Sequence, residues 1–339
     1  MKAVRIHDFD GVLHMDDVPE PVARDGEVVV QVVLAALNPI DEQISRGEYR
    51  FVEPPFTLGV EGMGVVLTPG PRQGERVMFF GFYGAARDGA WAERIAVAEA
   101  DLVPVPEHFS NEEAAGFLLA FTTAAGALEY GGFTPGTTVL VPAVGGAVGN
   151  AGVQLARHWG AARVLTTAGS TAKADQARAL GYDGTVCVTD LSRISLVEGV
   201  TGAGAIDAAE KLVASVSGDD GPPEVDLVVD TVGGPMLADA LSLIKAGGTI
   251  VSVGSAHGDT ATLDLHAMRR RLIRLLGWNF VPLITDPSQA AGTRARILRA
   301  AESGQVSPHI AEVHPLDDID KAVDRLLHGR LFGKVLVRP

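Results

Sequence analysis

The 339-residue chain has one cysteine, Cys187, and three tryptophans, and no apolar run reaches the ~18 residues a membrane helix needs. A lone cysteine cannot form an internal disulfide, and in the strand-like "GTVCVTD" it reads as a small buried apolar residue. One thiol and nine scattered histidines do not make the tetrahedral N/S set of a zinc site. The segment "SVGSAHG" is not G-x-S-x-G, which argues against a hydrolase nucleophile elbow. At the N-terminus, "MKAVRIHDFDG" lacks the apolar core of a signal peptide. Positive charge is short as well: 28 Lys and Arg against 42 Asp and Glu leave a net charge of -14, which opposes nucleic-acid phosphates and anionic membrane surfaces. These shortages describe a soluble, cytoplasmic protein of a reducing compartment that partners neither nucleic acid nor membrane.

Hydrophobic residues make up 47% and charged residues 21%, an ordinary globular balance. At roughly 150 residues per domain the length suggests two domains. The 40 glycines exceed the roughly 24 of average usage, and they fall in turns between apolar runs. Up to about residue 110 the pattern is short β-like runs such as "EVVVQVVLAAL" and "ERVMFFGF", broken by Gly and Pro turns. A helical stretch, "NEEAAGFLLAFTTAAGALEY", follows. Beyond it, strands "TTVLVPA", "ARVLTTA", "EVDLVVDTV" and "GTIVSVG" alternate with helices near 147–159, 171–180, 235–244 and 264–271, which implies parallel strands with helical crossovers. Residues 191–223 read as one or two helices and an exposed Gly/Asp/Pro-rich loop. "DDIDKAVDRLLHGR" reads as a late helix, and "FGKVLVRP" as a last strand.

In "VLVPAVGGAVGNAGVQLAR" a strand turns through glycines into a helix, which gathers unpaired backbone N–H groups and the positive end of the helix dipole around one point suited to a pyrophosphate. Ala143, Gly146 and Gly149 form A-x-x-G-x-x-G, with Val144 where the dinucleotide fingerprint has its first glycine. Gly145, Ala147 and Val148 complete the candidate cradle. The second strand ends at Ala168 in "TTAGSTAK", without the acid that bonds the ribose hydroxyls in NAD sites. Beyond Ala168 and Gly169, Ser170 and Lys173 could hold a 2'-phosphate, favouring NADP(H), although Lys173 could equally be a solvated helix lysine.

With "ALNPIDEQISRGEY", "PFTLGVEGMGVV", "DGAWAERIAV", the glycine turn, "DLVVDTVGG", "GGTIVSVGS" and "FGKVLV" in order, the chain resembles the medium-chain dehydrogenase/reductase superfamily, and its zinc-free quinone oxidoreductase branch in particular. The resemblance implies an α/β protein with a GroES-like β-rich catalytic domain over residues 1–120 and 281–339. A Rossmann doubly wound parallel-sheet domain over 121–280 would bind NADP(H), and the nicotinamide would meet substrate in a cleft. It implies a homodimer, along "LIRLLGWNF". Zinc-dependent members place a cysteine at Asn38 and a histidine at Val60, ahead of Glu61, and hold a second zinc with four cysteines; none of these thiolates is here. NADP-binding relatives tend to carry a tyrosine near Val188, which this chain lacks.

Carried over by position, Asn38 hydrogen-bonds cofactor or acceptor, or caps the turn before Pro39. Tyr49 corresponds to a proton donor of enoyl reductases, or is a cleft wall. Thr123 contacts the carboxamide, Thr231-Val232-Gly233 border the adenosine, and Gly254-Ser255 the nicotinamide. Lys334 lies near the cleft or at the surface, and Arg269-Arg270-Arg271 is a solvated helix end. Without zinc the acceptor must already be electrophilic, so the implied activity is NADPH-dependent reduction of a quinone or α,β-unsaturated carbonyl. The alternatives are 2-enoyl thioester reduction and nucleotide sensing without turnover.

Overall fold

Val28, Val30, Val32 and Leu34 are buried while Gln31 between them is exposed, the alternation of a strand with one face in a core. The structure, a computed structural model, describes residues 1–182, 185–187, 225–256 and 258–339. The expected helices and loop of 191–223 lie outside the described residues, as do Val188 and the side chain of Cys187.

Two compact units are present, Met1–Ala120 with Ser307–Pro339, and Phe121–Val306. The first begins with β1 (Lys2–Ile6), β2 (His14–Asp17), β3 (Glu27–Ala36), α1 (Pro39–Ser45), β4 (Phe56–Thr57), β5 (Glu61–Val66), β6 (Arg76–Phe80), β7 (Arg94–Ala98) and β8 (Val103–Pro104). Helix α2 (Asn111–Tyr130) contains the boundary. It starts with a reciprocal cap: Ser110 Oγ accepts the Glu113 N–H, and the Glu113 carboxylate accepts the Ser110 N–H. The second unit continues through β9 (Thr138–Leu140), α3 (Ala147–His158), β10 (Arg163–Ala168), α4 (Thr171–Ala179), β11 (Thr185–Cys187), β12 (Val225–Asp230) and α5 (Pro235–Leu243). It ends with β13 (Ile244–Ser252), α6 (Leu265–Arg271), β14 (Arg274–Gly277), α7 (Pro282–Thr285) and α8 (Pro287–Glu302). The chain then rejoins the first unit as β15 (Ile310–Pro315), α9 (Ile319–His328) and β16 (Lys334–Arg338).

Among the described residues the second unit has six strands, all parallel, in the order β11-β10-β9-β12-β13-β14. Counted within the unit this is 3-2-1-4-5-6, the doubly wound order of dinucleotide-binding folds. The order reverses between β9 and β12, so the carboxyl ends of those strands form the switch point where such sheets take ligands. Leu140, Leu165, Val228, Leu241, Ile250 and Ile273 belong to the core that holds this sheet, each burial contributing about 1.5–3 kcal/mol.

The first unit has a three-stranded sheet, β2-β1-β4, and a larger one, β15-β16-β3-β5-β6-β8, with β7 also pairing β3. β16 runs antiparallel to β3 through Leu336↔Ala36 and Val337↔Ala35, which puts the last strand beside the one that leads into α1.

The return to the first unit falls at Ser307, later than the expected residue 281. α8 stays with the second unit because Thr293 Oγ1 and Arg296 Nη1 donate to the Glu129 carboxylate at 2.7 and 2.6 Å. The Arg296 guanidinium also lies 3.9 Å from the centroid of the Trp159 ring.

Candidate functional site

The glycine turn is pinned to its neighbouring strand before it reaches the helix. Ala143 N–H donates to Thr167 Oγ1 at 3.0 Å and Val144 N–H to the Thr167 carbonyl at 2.9 Å. The left-handed residue of the turn is Ala143, with φ 60, a conformation that costs a non-glycine residue roughly 1–2 kcal/mol. Gly146 is the N-cap of α3, and the first helical bond runs from Asn150 N–H to Gly146 O at 2.9 Å. The N–H groups of Ala147, Val148 and Gly149 therefore have no acceptor within the helix. No acidic side chain occupies that first turn, whereas Arg157 and His158 sit in the last, so the positive pole is left for an anion. Gly149 is where helix and strand come closest: a Cβ there would lie 2.3 Å from Ala143 O and 2.6 Å from Pro142 O.

At the end of β10, Ala168 is buried and a Cβ on Gly169 would meet open space. Ser170 caps α4 by accepting the Lys173 N–H at 3.3 Å. Asp175, the first carboxylate beyond the strand, is ion-paired with Arg178 at 2.8 Å. The Lys173 side chain reaches back over the turn: a Cβ on Gly145 would lie 3.0 Å from its Cδ and 3.5 Å from its Nζ. One ammonium thus stands beside the bare backbone of the cradle.

Across the switch point, Thr231 Oγ1 donates to Pro142 O at 3.1 Å, tying the ends of β12 and β9. The buried Asp230 carboxylate accepts the N–H groups of Val232 and Gly233 at 3.0 and 3.1 Å. Burial raises the Asp230 carboxyl above its ordinary value against the pull of those two donors. A cavity of about 730 Å³ opens at the carboxyl ends of β12, β13 and β14, bordered by Gly233, Gly254, Ser255, Trp278, Asn279 and Tyr130. A Cβ on Gly233, whose φ is 71, would lie 3.0 Å from Gly254 O. Of the two stretches expected along the cofactor, Gly233 of the first and Gly254–Ser255 of the second border this one cavity. Thr123 is buried on α2. N–H groups without an acceptor in the helix, a helix pole, an adjacent ammonium and glycine-bare walls together suit a nicotinamide dinucleotide.

The first unit holds a different kind of site. Asn38 stands at the N-cap of α1, where its backbone carbonyl accepts Asp41 N–H at 3.0 Å. Its Oδ1 accepts from Lys334 Nζ at 2.6 Å, and its Nδ2 lies 3.4 Å from Glu61 Oε2. Lys334 Nζ is 2.8 Å from the same Glu61 oxygen. Asp41 completes the group, accepting Asn38 N–H at 2.8 Å and Val60 N–H at 3.1 Å. Burial pushes the Asp41 carboxyl up to about 7, against those two donors and the Lys334 ammonium. Lys334, 3% exposed, is thus not the surface lysine of one sequence reading; the β16–β3 pairing draws it inward to Asn38 and Glu61. Tyr49 is 39% exposed after α1, near the exposed Phe51, whose ring lies 5.2 Å from that of Phe82.

Glu61 and Asp41 were not singled out from the sequence. The signal for Glu61 was a lone charge inside the apolar strand "GVEGMGVV", matched by the lone lysine of "FGKVLV"; for Asp41 it was the third helical position after Asn38. Among the described residues no three His, Cys, Asp or Glu side chains are grouped to hold a metal ion.

Residues 24–107 match the family model of the alcohol dehydrogenase GroES-like domain, and residues 202–337 that of zinc-binding dehydrogenase. Quinone oxidoreductase-like protein 2 of Bos taurus is 32% identical over 335 residues, covering 94% of this chain and 86% of the relative. The 2-methylene-furan-3-one reductase of Solanum lycopersicum is 29% identical over 358 residues, covering 100% and 79%. The solved quinone oxidoreductase of Thermus thermophilus, whose crystal structures include a complex with NADPH, matches with a TM-score of 0.82 at 31% identity over the whole of both chains. The chain belongs to the medium-chain dehydrogenase/reductase superfamily, in its quinone oxidoreductase branch.

Proposed function

We propose that this protein is an NADPH-dependent oxidoreductase that reduces a quinone or an α,β-unsaturated carbonyl without a catalytic metal. The observation that carries the reading is the phosphate cradle of the second unit, with Lys173 beside Gly145 and no carboxylate at the end of β10. Likeness to a quinone oxidoreductase solved with NADPH supports it. When bound, NADPH supplies a hydride; a quinone that accepts it and takes a proton from water becomes a hydroquinone, leaving NADP⁺. The residues of this chain bind and orient. The first turn of α3 receives the pyrophosphate, Ser170 and Lys173 the 2'-phosphate, Gly254 and Ser255 the nicotinamide, and Thr123 its carboxamide. Asn38 donates a hydrogen bond to the carbonyl oxygen as charge develops there.

The donor set argues for metal independence. At Asn38 and Glu61 a buried ammonium already lies 2.6 and 2.8 Å from the two oxygens a metal would use, so a second cation would be repelled and no step is routed through zinc. Likeness to a furanone reductase favours enone reduction as the second reading, with the half-exposed Tyr49 as proton donor. The protein acts as a cytoplasmic homodimer, paired through β14. That strand is the edge of the six-stranded sheet, and Leu272 beside it is 77% exposed. Absorbance at 340 nm during anaerobic incubation of untagged protein with NADPH and small quinones or enones tests the function. Oxidation that tracks enzyme and survives a chelator is expected; none with any acceptor refutes it.

A further inference from the structure

Asn38 is held more tightly than a single binding amide needs to be. Lys334 Nζ contacts its Oδ1 at 2.6 Å, and Glu61 Oε2 lies 2.8 Å from that ammonium and 3.4 Å from Asn38 Nδ2. The other Glu61 oxygen accepts Leu119 N–H at 2.7 Å, so the carboxylate is anchored to α2. Lys334, Glu61 and Asn38 are all 4% exposed or less. An amide has one accepting and one donating end, whereas an ammonium only donates. Turning the Asn38 amide over would set its N–H group against the buried Lys334 ammonium and its oxygen against the Glu61 carboxylate, so charge fixes its orientation. With one Nδ2 proton directed at Glu61, the amide has one further N–H that it can donate.

We propose that Lys334 and Glu61 are positioning residues that lock Asn38 as a hydrogen-bond donor toward the carbonyl oxygen of the hydride acceptor. This rests on the proposed function. The ammonium draws electron density through Oδ1 and so strengthens Nδ2–H as a donor. The donor is most effective when the acceptor oxygen carries the charge delivered with the hydride, which is the transition state of carbonyl or quinone reduction. An alcohol awaiting oxidation must also give up its O–H proton to a base, which an amide N–H cannot be. The locked amide thus supplies what a carbonyl or quinone acceptor needs and offers no base to an alcohol.

A double-mutant cycle tests this, with Asn38→Ala as one change and the near-isosteric, charge-neutral pair Glu61→Gln/Lys334→Met as the other. The readouts are kcat and KM for 1,2-naphthoquinone, NADPH affinity by fluorescence, and thermal melting. Each change should lower kcat about ten- to a hundredfold, with NADPH affinity within about threefold of wild type, and the triple variant should fall no further than the worse of the two. Multiplying losses, or a Glu61→Gln/Lys334→Met variant with wild-type kcat, would overturn the proposal. If that variant does not melt cooperatively, the single change Glu61→Gln takes its place in the same cycle: a loss in kcat at constant KM that does not multiply with that of Asn38→Ala is expected, and wild-type kcat or multiplying losses overturn the proposal. Wild-type protein that binds no NADPH, or turns over no quinone or enone, would fail the underlying function instead, a result separable from every variant outcome.

Discussion

Gly149→Ala is the sharpest test of the dinucleotide cradle. The added Cβ would lie 2.3 Å from Ala143 O, 2.6 Å from Pro142 O and 2.8 Å from Ala143 C. All three are backbone atoms, so no side chain can turn aside, and restoring ordinary contact near 3.4 Å means moving α3 away from β9 by about 1 Å. Overpacking of this kind costs typically 1–3 kcal/mol, which for a unit of this size lowers Tm by roughly 3–10 °C. The same shift carries the first-turn N–H groups out of register with a pyrophosphate, so NADPH affinity should fall by more than the about tenfold that one hydrogen bond would explain. Gly146→Ala is the control. Its Cβ meets only Ala143 O, at 3.3 Å, and that variant should melt within about 2 °C of wild type, since a surface change is worth about 0.5 kcal/mol. Melting by calorimetry and fluorescence titration of NADPH would read both. A Gly149→Ala protein with wild-type Tm and affinity would mean that the close approach of helix and strand is not what builds the site.

Lys173→Ala should weaken NADPH about ten- to a hundredfold while sparing NADH; equal losses would assign the ammonium over Gly145 to the pyrophosphate rather than to the 2'-phosphate. Tyr49→Phe should keep quinone turnover within about tenfold but cost enone reduction about 10²–10⁴, because only the latter needs a proton delivered to carbon; a comparable loss with quinones would make the hydroxyl catalytic for both. The Asp41 carboxyl sits at about 7 in the folded protein against 3.8 as its ordinary value. The folded state therefore keeps that proton longer than the unfolded chain, and stability falls as pH rises from about 4 to about 7, then levels off. Asp41→Asn should flatten the Tm-versus-pH curve in that window, leaving the share of Asp239, also raised to about 7 by burial. An unchanged slope would refute it.

Wherever local pattern and tertiary fate agree, the sequence was legible. "ARVLTTA" is strand Arg163–Ala168, and the helix read near 171–180 is Thr171–Ala179, because β-branched runs and a serine cap act over a few residues. The helices Pro282–Thr285 and Pro287–Glu302 were not read, and the expected unit boundary was misplaced with them. What commits the longer of these helices to the second unit is contact with Glu129 and Trp159, far away in sequence. The Asn38 group follows the same rule. The asparagine could be singled out, yet its partners Glu61 and Lys334 come from β5 and β16, and only strand pairing shows that these lone charges in apolar runs answer one another.

Asn38 and Lys334 are 296 residues apart, and the whole second unit is threaded between them. A chain made at about 5–20 residues per second would leave Asp41 and Glu61 without their cation for roughly 14–55 s, while the contiguous second unit can close as soon as its own residues emerge. The nascent first unit would wait with two carboxylates facing an apolar interior and β3 lacking its β16 neighbour, a template for pairing with other chains. Production of this protein should therefore depend on chaperone supply until β16 emerges, and loss of β16 alone should be enough to send the product into inclusion bodies.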